Sequence, residues 1–165
     1  MNNTLKYAKV NVRVSDESGK TLFEDHNLFV DTGRKFIADL LTETIASFDK
    51  TLFACDLGTD STTPVPGDVD LVVYAVTAEP GLVATYPLAI DGEPSGIWFQ
   101  FSFESAGEQT IRELGLFYRP DSDDFPNRHT VTGAPGYMIA RLKTTLSSIV
   151  VSTGKTITID WKIIF

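Results

Sequence analysis

Apolar and polar residues alternate along much of this chain, which is the pattern of half-buried β-strands. The alternation is longest in Lys155–Phe165 and recurs in Ala8–Val14 and Gly96–Glu104. The last strand is predicted to be paired on at least one side. Its predicted inward series is Ile157, Ile159, Trp161 and Ile163, and the alternation extends to Phe165.

Shorter runs bounded by turn residues predict the other strands. These are Thr21–Glu24, Leu52–Leu57, Leu71–Thr77, Thr110–Arg119 and Tyr137–Thr144, with turns at Glu79–Gly81, Asp91–Pro94 and Gly133–Gly136. Asp16–Lys20 supplies turn chemistry between the first two strands and predicts a hairpin.

The period changes after Val30 and predicts one helix over Asp31–Thr42, with Asp31 or Thr32 as its cap. Its predicted packing face is Phe36, Ile37, Leu40 and Leu41. About eight short strands and one helix favour an all-β fold with one short helix, an antiparallel β-sandwich of jelly-roll type, over a parallel α/β sheet.

Length and charge limit the function classes. The 165 residues, 42% of them hydrophobic, suffice for one domain spanning residues 1–165. A formal net charge of −8 opposes binding to nucleic acid or anionic lipid. No apolar run approaches the ~20 residues of a membrane span, and Met1–Lys6 lacks a signal-peptide core, so we expect synthesis in the cytoplasm and no membrane partner.

The residue types that carry catalysis or bind metals are sparse and scattered. His26 and His129 lack a second ligand at metal-binding spacing, and Ser95 and the Ser147–Ser148 pair lie outside any nucleophile motif. Cys55 lies in an apolar run, where we expect a buried thiol. The sequence therefore predicts no catalytic residue, no cofactor-binding residue, no metal ligand and no enzymatic activity.

Two polar loops have a structural and a ligand-binding interpretation. Gly58–Thr63 has the small residues of a phosphate-binding loop but lacks its lysine and precedes prolines rather than a helix, so a structural loop is favoured. Asp121–Asp124 offers oxygen ligands for a hard cation but lacks the glycine and the terminal glutamate of an EF-hand loop, so a solvated acidic loop is favoured.

Carboxylates and aromatic residues keep a sugar-related alternative open. Glu104, Glu108 and Glu113 could approach other carboxylates in space as glycosidase pairs do, although nothing singles out two of them. Most aromatic residues at strand spacing are expected in the core. Trp98 and Tyr118 are the candidates for a contact surface, because they fall opposite their apolar neighbours.

Several segments together resemble small virion structural proteins of tailed bacteriophages, such as tail, baseplate or fibre-attachment components. The segments are Asn27–Leu41, Leu57–Asp60, Thr63–Pro64, Asp68–Leu71, Thr110–Phe117, Met138–Arg141 and Lys155–Phe165. The resemblance implies a non-enzymatic protein located in the virion and binding other phage virion proteins. It brings no catalytic residues.

Three functions follow as expectations. The first is a tail, baseplate or fibre-attachment component, expected as a homo-oligomer with a trimer as one candidate state. The second is a head decoration protein that bridges capsid subunits, since symmetric assemblies of both kinds reuse one surface patch. The third is a carbohydrate-binding domain. We also expect the loops Gly58–Asp70 and Pro120–Pro135, with Met1–Lys6, to become ordered mainly through contacts between subunits.

Overall fold

The computed structural model describes residues 9–42, 49–72, 81–91, 95–118, 137–144 and 149–164. These ranges contain eleven strands, one α-helix and a 3-10 turn at Lys50–Leu52. The first elements are β1 Lys9–Asp16, β2 Thr21–Phe29, α1 Asp31–Leu41, β3 Phe53–Gly58, β4 Gly81–Leu82 and β5 Leu88–Ile90. The others are β6 Gly96–Glu104, β7 Gln109–Ile111, β8 Glu113–Tyr118, β9 Tyr137–Lys143, β10 Ile149–Val151 and β11 Thr156–Ile164.

Nine of these strands form one antiparallel sheet. Eight follow the order β3-β8-β9-β2-β1-β11-β6-β4, and β5 pairs with β6 beside β4. Cα atoms of the end strands β3 and β4 lie within 8 Å of each other, so the sheet curls until it nearly closes. The all-β class with one short helix is thereby confirmed, and the assignment to a jelly-roll sandwich stays a prediction.

The long alternating strands line the core as their sequence predicts. β11 pairs with β1 on one side and with β6 on the other. The inward residues of β1, β6 and β11 are all at most 4% exposed. They are Val10, Val12 and Val14 on β1, Phe99, Phe101 and Phe103 on β6, and Ile157, Ile159, Trp161 and Ile163 on β11.

The strand predicted over Thr110–Arg119 is two strands in two sheets. β7 pairs with β10 in a small separate sheet, whereas β8 lies between β3 and β9. Ile111 and Leu114 both reach the core although they are three residues apart, so the alternation slips by one residue at Arg112. A continuous two-residue period cannot contain such a slip.

The predicted contact-surface role of Tyr118 is wrong. Tyr118 is fully buried and its ring packs on Phe36 and Phe53. Phe117 points to the other face of β8, where it lies over Gly115 and contacts Leu71 in a second apolar cluster. Both faces of this strand are covered, so alternation alone does not indicate which side chain reaches solvent.

Helix α1 begins at the predicted residue and ends one residue before the predicted end. Its N-cap residue and one residue of its predicted packing face differ from the prediction. Val30 occupies the N-cap position without a side-chain hydrogen bond, while Thr32 Oγ1 donates to the carbonyl oxygen of Met138. Leu41 is 79% exposed, whereas Phe36 is buried. At about 100° per residue, Leu41 lies about 140° around the helix from Phe36, beyond the packed face.

Some of the remaining strand predictions are confirmed, some strands were not predicted, and some predictions fall outside the described residues. The first hairpin is confirmed, with a positive φ at Gly19 in its turn. The three-residue strands β5 and β10 were not predicted, and β4 occupies part of a predicted turn. Leu71 and Val72 lie outside any strand. Residues 73–77 of that predicted strand lie outside the described residues, as do Met1–Lys6, Pro120–Pro135 and Phe165.

Candidate functional site

The largest concentration of buried charge lies on the outer face of β8 and β9. Arg141 on β9 is 1% exposed, and its Nε and Nη2 atoms donate to Oε2 of Glu113 at 3.0 and 2.7 Å. Its Nη1 atom donates to Oδ2 of Asp68 at 2.8 Å. These three residues form the Arg141 cluster.

Neighbouring strands bring the members of this cluster together. Glu113 lies opposite Lys143 in the β8–β9 pair. Arg141 lies opposite Gly115, two register positions further along and therefore on the same face. Gly58, opposite Glu113 on β3, has no side chain, and a Cβ atom there would overlap the Glu113 carboxylate. Because Gly58 has no side chain, the Glu113 side chain can occupy this space.

The electrostatics of the cluster keep Arg141 charged. Desolvation by burial lowers the pKa of Arg141, but the hydrogen bonds to Asp68 and Glu113 outweigh it, so the pKa lies above its ordinary value. A guanidinium ion bound by two carboxylates is not available as a proton donor or acceptor at physiological pH. The cluster is therefore suited to holding structure rather than to acid–base chemistry.

What the cluster holds is the segment of residues 59–72, which we call the 59–72 loop. Besides the Asp68 contact, Arg141 Nη2 approaches the carbonyl oxygen of Thr62 at 3.5 Å. The backbone N–H of Asp31 donates to the carbonyl oxygen of Pro66 at 2.7 Å. Contacts within the chain therefore anchor this segment, and the expectation that Gly58–Asp70 becomes ordered mainly through contacts between subunits stays a prediction.

A second polar group lies on the outward face of β6 and β11 and includes Trp98. The indole N–H of Trp98 donates to Oδ1 of Asp160 at 2.8 Å, and Nε2 of Gln100 donates to the same atom at 3.0 Å. Nζ of Lys162 lies 4.4 Å from the Trp98 ring centroid. The Tyr86 ring meets Trp98 edge-on at 5.1 Å. We call these five residues the Trp98 face.

Cross-strand register builds the Trp98 face. Lys162 lies opposite Trp98, and Asp160 lies opposite Gln100, in the β11–β6 pair. Burial, with a smaller contribution from Asp160, raises the pKa of Tyr86, so its hydroxyl remains protonated at neutral pH. The face thus offers an aromatic ring, an amide, a carboxylate and a cation on rigid strands, all partly accessible to solvent. The predicted contact role of Trp98 is compatible with this exposure.

A third cluster joins α1 to the sheet. The carboxylate of Asp39 accepts hydrogen bonds from Lys35 and from the Tyr137 hydroxyl, the latter at 2.7 Å. The bonds from Lys35 and Tyr137 lower the pKa of Asp39, and the bond to Asp39 raises the pKa of Tyr137. This cluster attaches the helix to the first residue of β9.

The other candidate residues remain scattered. Glu104 and Glu108 are exposed, while Glu113 is buried and bonded to Arg141 rather than to a second acid. His26 is exposed, and its Nδ1 lies 2.7 Å from Oδ1 of Asn11. Ser95 is exposed and Cys55 is buried in the core. His129, Asp121–Asp124 and Ser147–Ser148 lie outside the described residues.

Neither Arg141 nor Asp68 stands out in the sequence as a site residue. A weak signal existed, because Arg141 interrupts an otherwise apolar strand, and a charged residue inside such a strand needs a partner. The partners lie 28 and 73 positions away, so no local pattern identifies them.

Metal and membrane features are absent from the part of the chain that the structure describes. No set of three or more His, Cys, Asp or Glu side chains there could hold a metal ion. No helix in those same ranges has the length and apolar character needed to span a membrane. No protein-family model, curated protein or solved structure matches the chain.

Proposed function

We propose that this chain is a non-enzymatic structural protein of the virion of a tailed bacteriophage. In this role it is a tail, baseplate or fibre-attachment component that binds neighbouring virion proteins as a homo-oligomer. It needs no cofactor and does not contact nucleic acid or a membrane, in keeping with its net charge of −8. The resemblance carried by the sequence segments named above supports this role.

The observation that carries the proposal is that buried charged side chains anchor a surface loop. Arg141, Glu113 and Asp68 are bonded to one another, and together they attach a surface loop to the sheet. Replacing a buried ion pair by apolar residues is often neutral or stabilising, so we ascribe to these pairs the role of fixing one conformation. A rigid framework with loops fixed in place suits a protein whose task is to present contact surfaces.

A head decoration protein is the alternative with the same physical requirements. Separating heads from tails of particles of the encoding phage, followed by quantitative mass spectrometry, distinguishes the two. We expect the chain in the tail fraction in multiple copies per particle. Recovery with heads would support the decoration role, and absence from both fractions would contradict the proposal.

Carbohydrate binding is the second candidate function, and the Trp98 face is the observation that favours it. An aromatic ring beside planar polar side chains can stack on a sugar and bind its hydroxyl groups. Lys162 lies over the ring, so a sugar stacking on that side must displace it. A glycan array with wild type, Trp98→Ala and the control Leu22→Ala tests this function, which requires binding that only the Trp98 variant loses.

A further inference from the structure

The 59–72 loop turns one carboxylate and one backbone carbonyl inward and three valine side chains outward. Val65, Val69 and Val72 are 52%, 60% and 53% exposed. Meanwhile Asp68 binds Arg141, and the carbonyl oxygen of Pro66 accepts a hydrogen bond from α1. Ser61, Thr62, Thr63 and Asp70 of the loop are exposed as well and Leu71 is buried, so the three valines are the apolar part of a mixed surface.

Two of the three valines are bonded to the Arg141 cluster through their backbones. The N–H of Val65 donates to Oδ2 of Asp68 at 2.9 Å, the same oxygen that Arg141 binds. The N–H of Val72 approaches Oε2 of Glu113 at 3.4 Å. Val69 directly follows Asp68. The Arg141 cluster thus holds the backbone at Val65 and at Val72, and Val69 adjoins its Asp68.

The loop could cover this part of the sheet without the buried charged groups of the Arg141 cluster. Leu71 already packs on Phe117 in the apolar cluster beneath the loop. A cover made only of such residues would avoid the desolvation of three charged groups. The distinct effect of the Arg141 cluster is to fix the path of the loop, and therefore which side chains face outward.

The charges around the valines indicate the chemistry of a partner. The cluster has two carboxylates for one guanidinium, and Asp60 and Asp70 add negative charge to the same loop. Lys143 contributes a cation near Thr63. The loop therefore presents apolar side chains within a net acidic surround.

We infer that the 59–72 loop is a docking surface for a different protein whose contact surface is apolar and rimmed by lysine or arginine. A second copy of the chain would bring acidic groups against acidic groups if the same loops met, and like charges in an interface are unfavourable. The inference rests on the proposed function and specifies the chemistry of one neighbouring protein.

A random peptide library selected on the immobilised full chain tests this surface. The test variant is Val65→Thr/Val69→Thr/Val72→Thr, which keeps side-chain shape and removes apolar contact. Val150→Thr is the matched control, because Val150 is 54% exposed and lies on β10 outside the loop. We expect selected peptides to combine aliphatic residues with lysine or arginine. The triple variant should bind them at least about tenfold more weakly, and the control variant with unchanged affinity.

Three outcomes would overturn the inference: selected peptides without basic residues, binding that the triple variant retains, or a concentration-dependent dimer in sedimentation that the triple variant abolishes. The last outcome would make the loop a contact between copies. These results are separable from the proposed function. A chain found in virions whose loop binds no basic peptide refutes the inference alone, whereas loop binding by a chain absent from virions refutes only the virion role.

Discussion

Arg141 binds Glu113 through two nitrogen atoms in a place where water reaches neither side chain. The Nη2–Oε2 distance is 2.7 Å, and the two side chains are 2% and 0% exposed. Charged groups this deeply buried depend on each other, because each loses its hydration on folding. The pair also connects β8 and β9 to the 59–72 loop through Asp68.

Replacing Arg141 with Met should destabilise the protein strongly. The variant leaves the carboxylates of Glu113 and Asp68 without their cation, and removal of one partner from a buried ion pair costs about 3–5 kcal/mol. Urea denaturation at neutral pH measures the change. Lys155→Met is the control, since it breaks the exposed pair with Glu17 and should leave the free energy of unfolding almost unchanged. Equal losses in the two variants would contradict the structural role of Arg141.

Trp161 should be among the residues whose truncation costs most. Its side chain is fully buried on the core face of β11, the strand that lies between β1 and β6. Removal of a large buried aromatic residue costs about 3–5 kcal/mol. Its indole N–H has no hydrogen-bond partner among the described residues, so Trp161→Phe should cost clearly less than Trp161→Ala. Thermal and urea unfolding of both variants check this order. A loss below about 1 kcal/mol for the alanine variant would mean that the core face of β11 is misassigned.

The two faces of α1 should respond differently to alanine. Phe36 packs against Phe53, Tyr118 and Tyr137, so Phe36→Ala should cost about 3–5 kcal/mol. Leu41 is 79% exposed, and Leu41→Ala should stay within about 0.5 kcal/mol. Equilibrium unfolding of the matched pair tests the orientation of the helix. A large loss at Leu41 would contradict this orientation of the helix.

Asp39 should make the attachment of α1 sensitive to acid. The hydrogen bonds from Lys35 and Tyr137 hold the folded pKa of Asp39 below its ordinary value, so its contribution to stability is present above that ordinary value. The contribution is lost as the pH falls through the folded value, since the unfolded chain then binds the proton more readily. The stability difference between wild type and Asp39→Asn should therefore shrink in strong acid. A difference independent of pH would refute the ionic role of Asp39.

The sequence predicts the parts of the fold that depend on local periodicity. β6 and β11 alternate over nine residues each, and one apolar stripe marks α1. The sequence does not show the break at Arg112 or the burial of Tyr118, because an exchange of strands between sheets and the packing of Phe36 and Phe53 on Tyr118 leave no local pattern. Trp98 was identified from its face of β6, but its neighbour Asp160 is 62 positions away. The Arg141 cluster likewise depends on contacts that only the folded chain creates.

The measurement that tests the virion role most directly is electron cryomicroscopy of intact particles of the encoding phage. The account predicts density for the nine-stranded sheet in repeated copies within the tail or baseplate, with the 59–72 loop against a neighbouring protein. Particles that show no such density, while the chain is abundant in infected cells, would contradict the virion role. Density in which the loop faces only solvent would leave that role intact and contradict the docking surface.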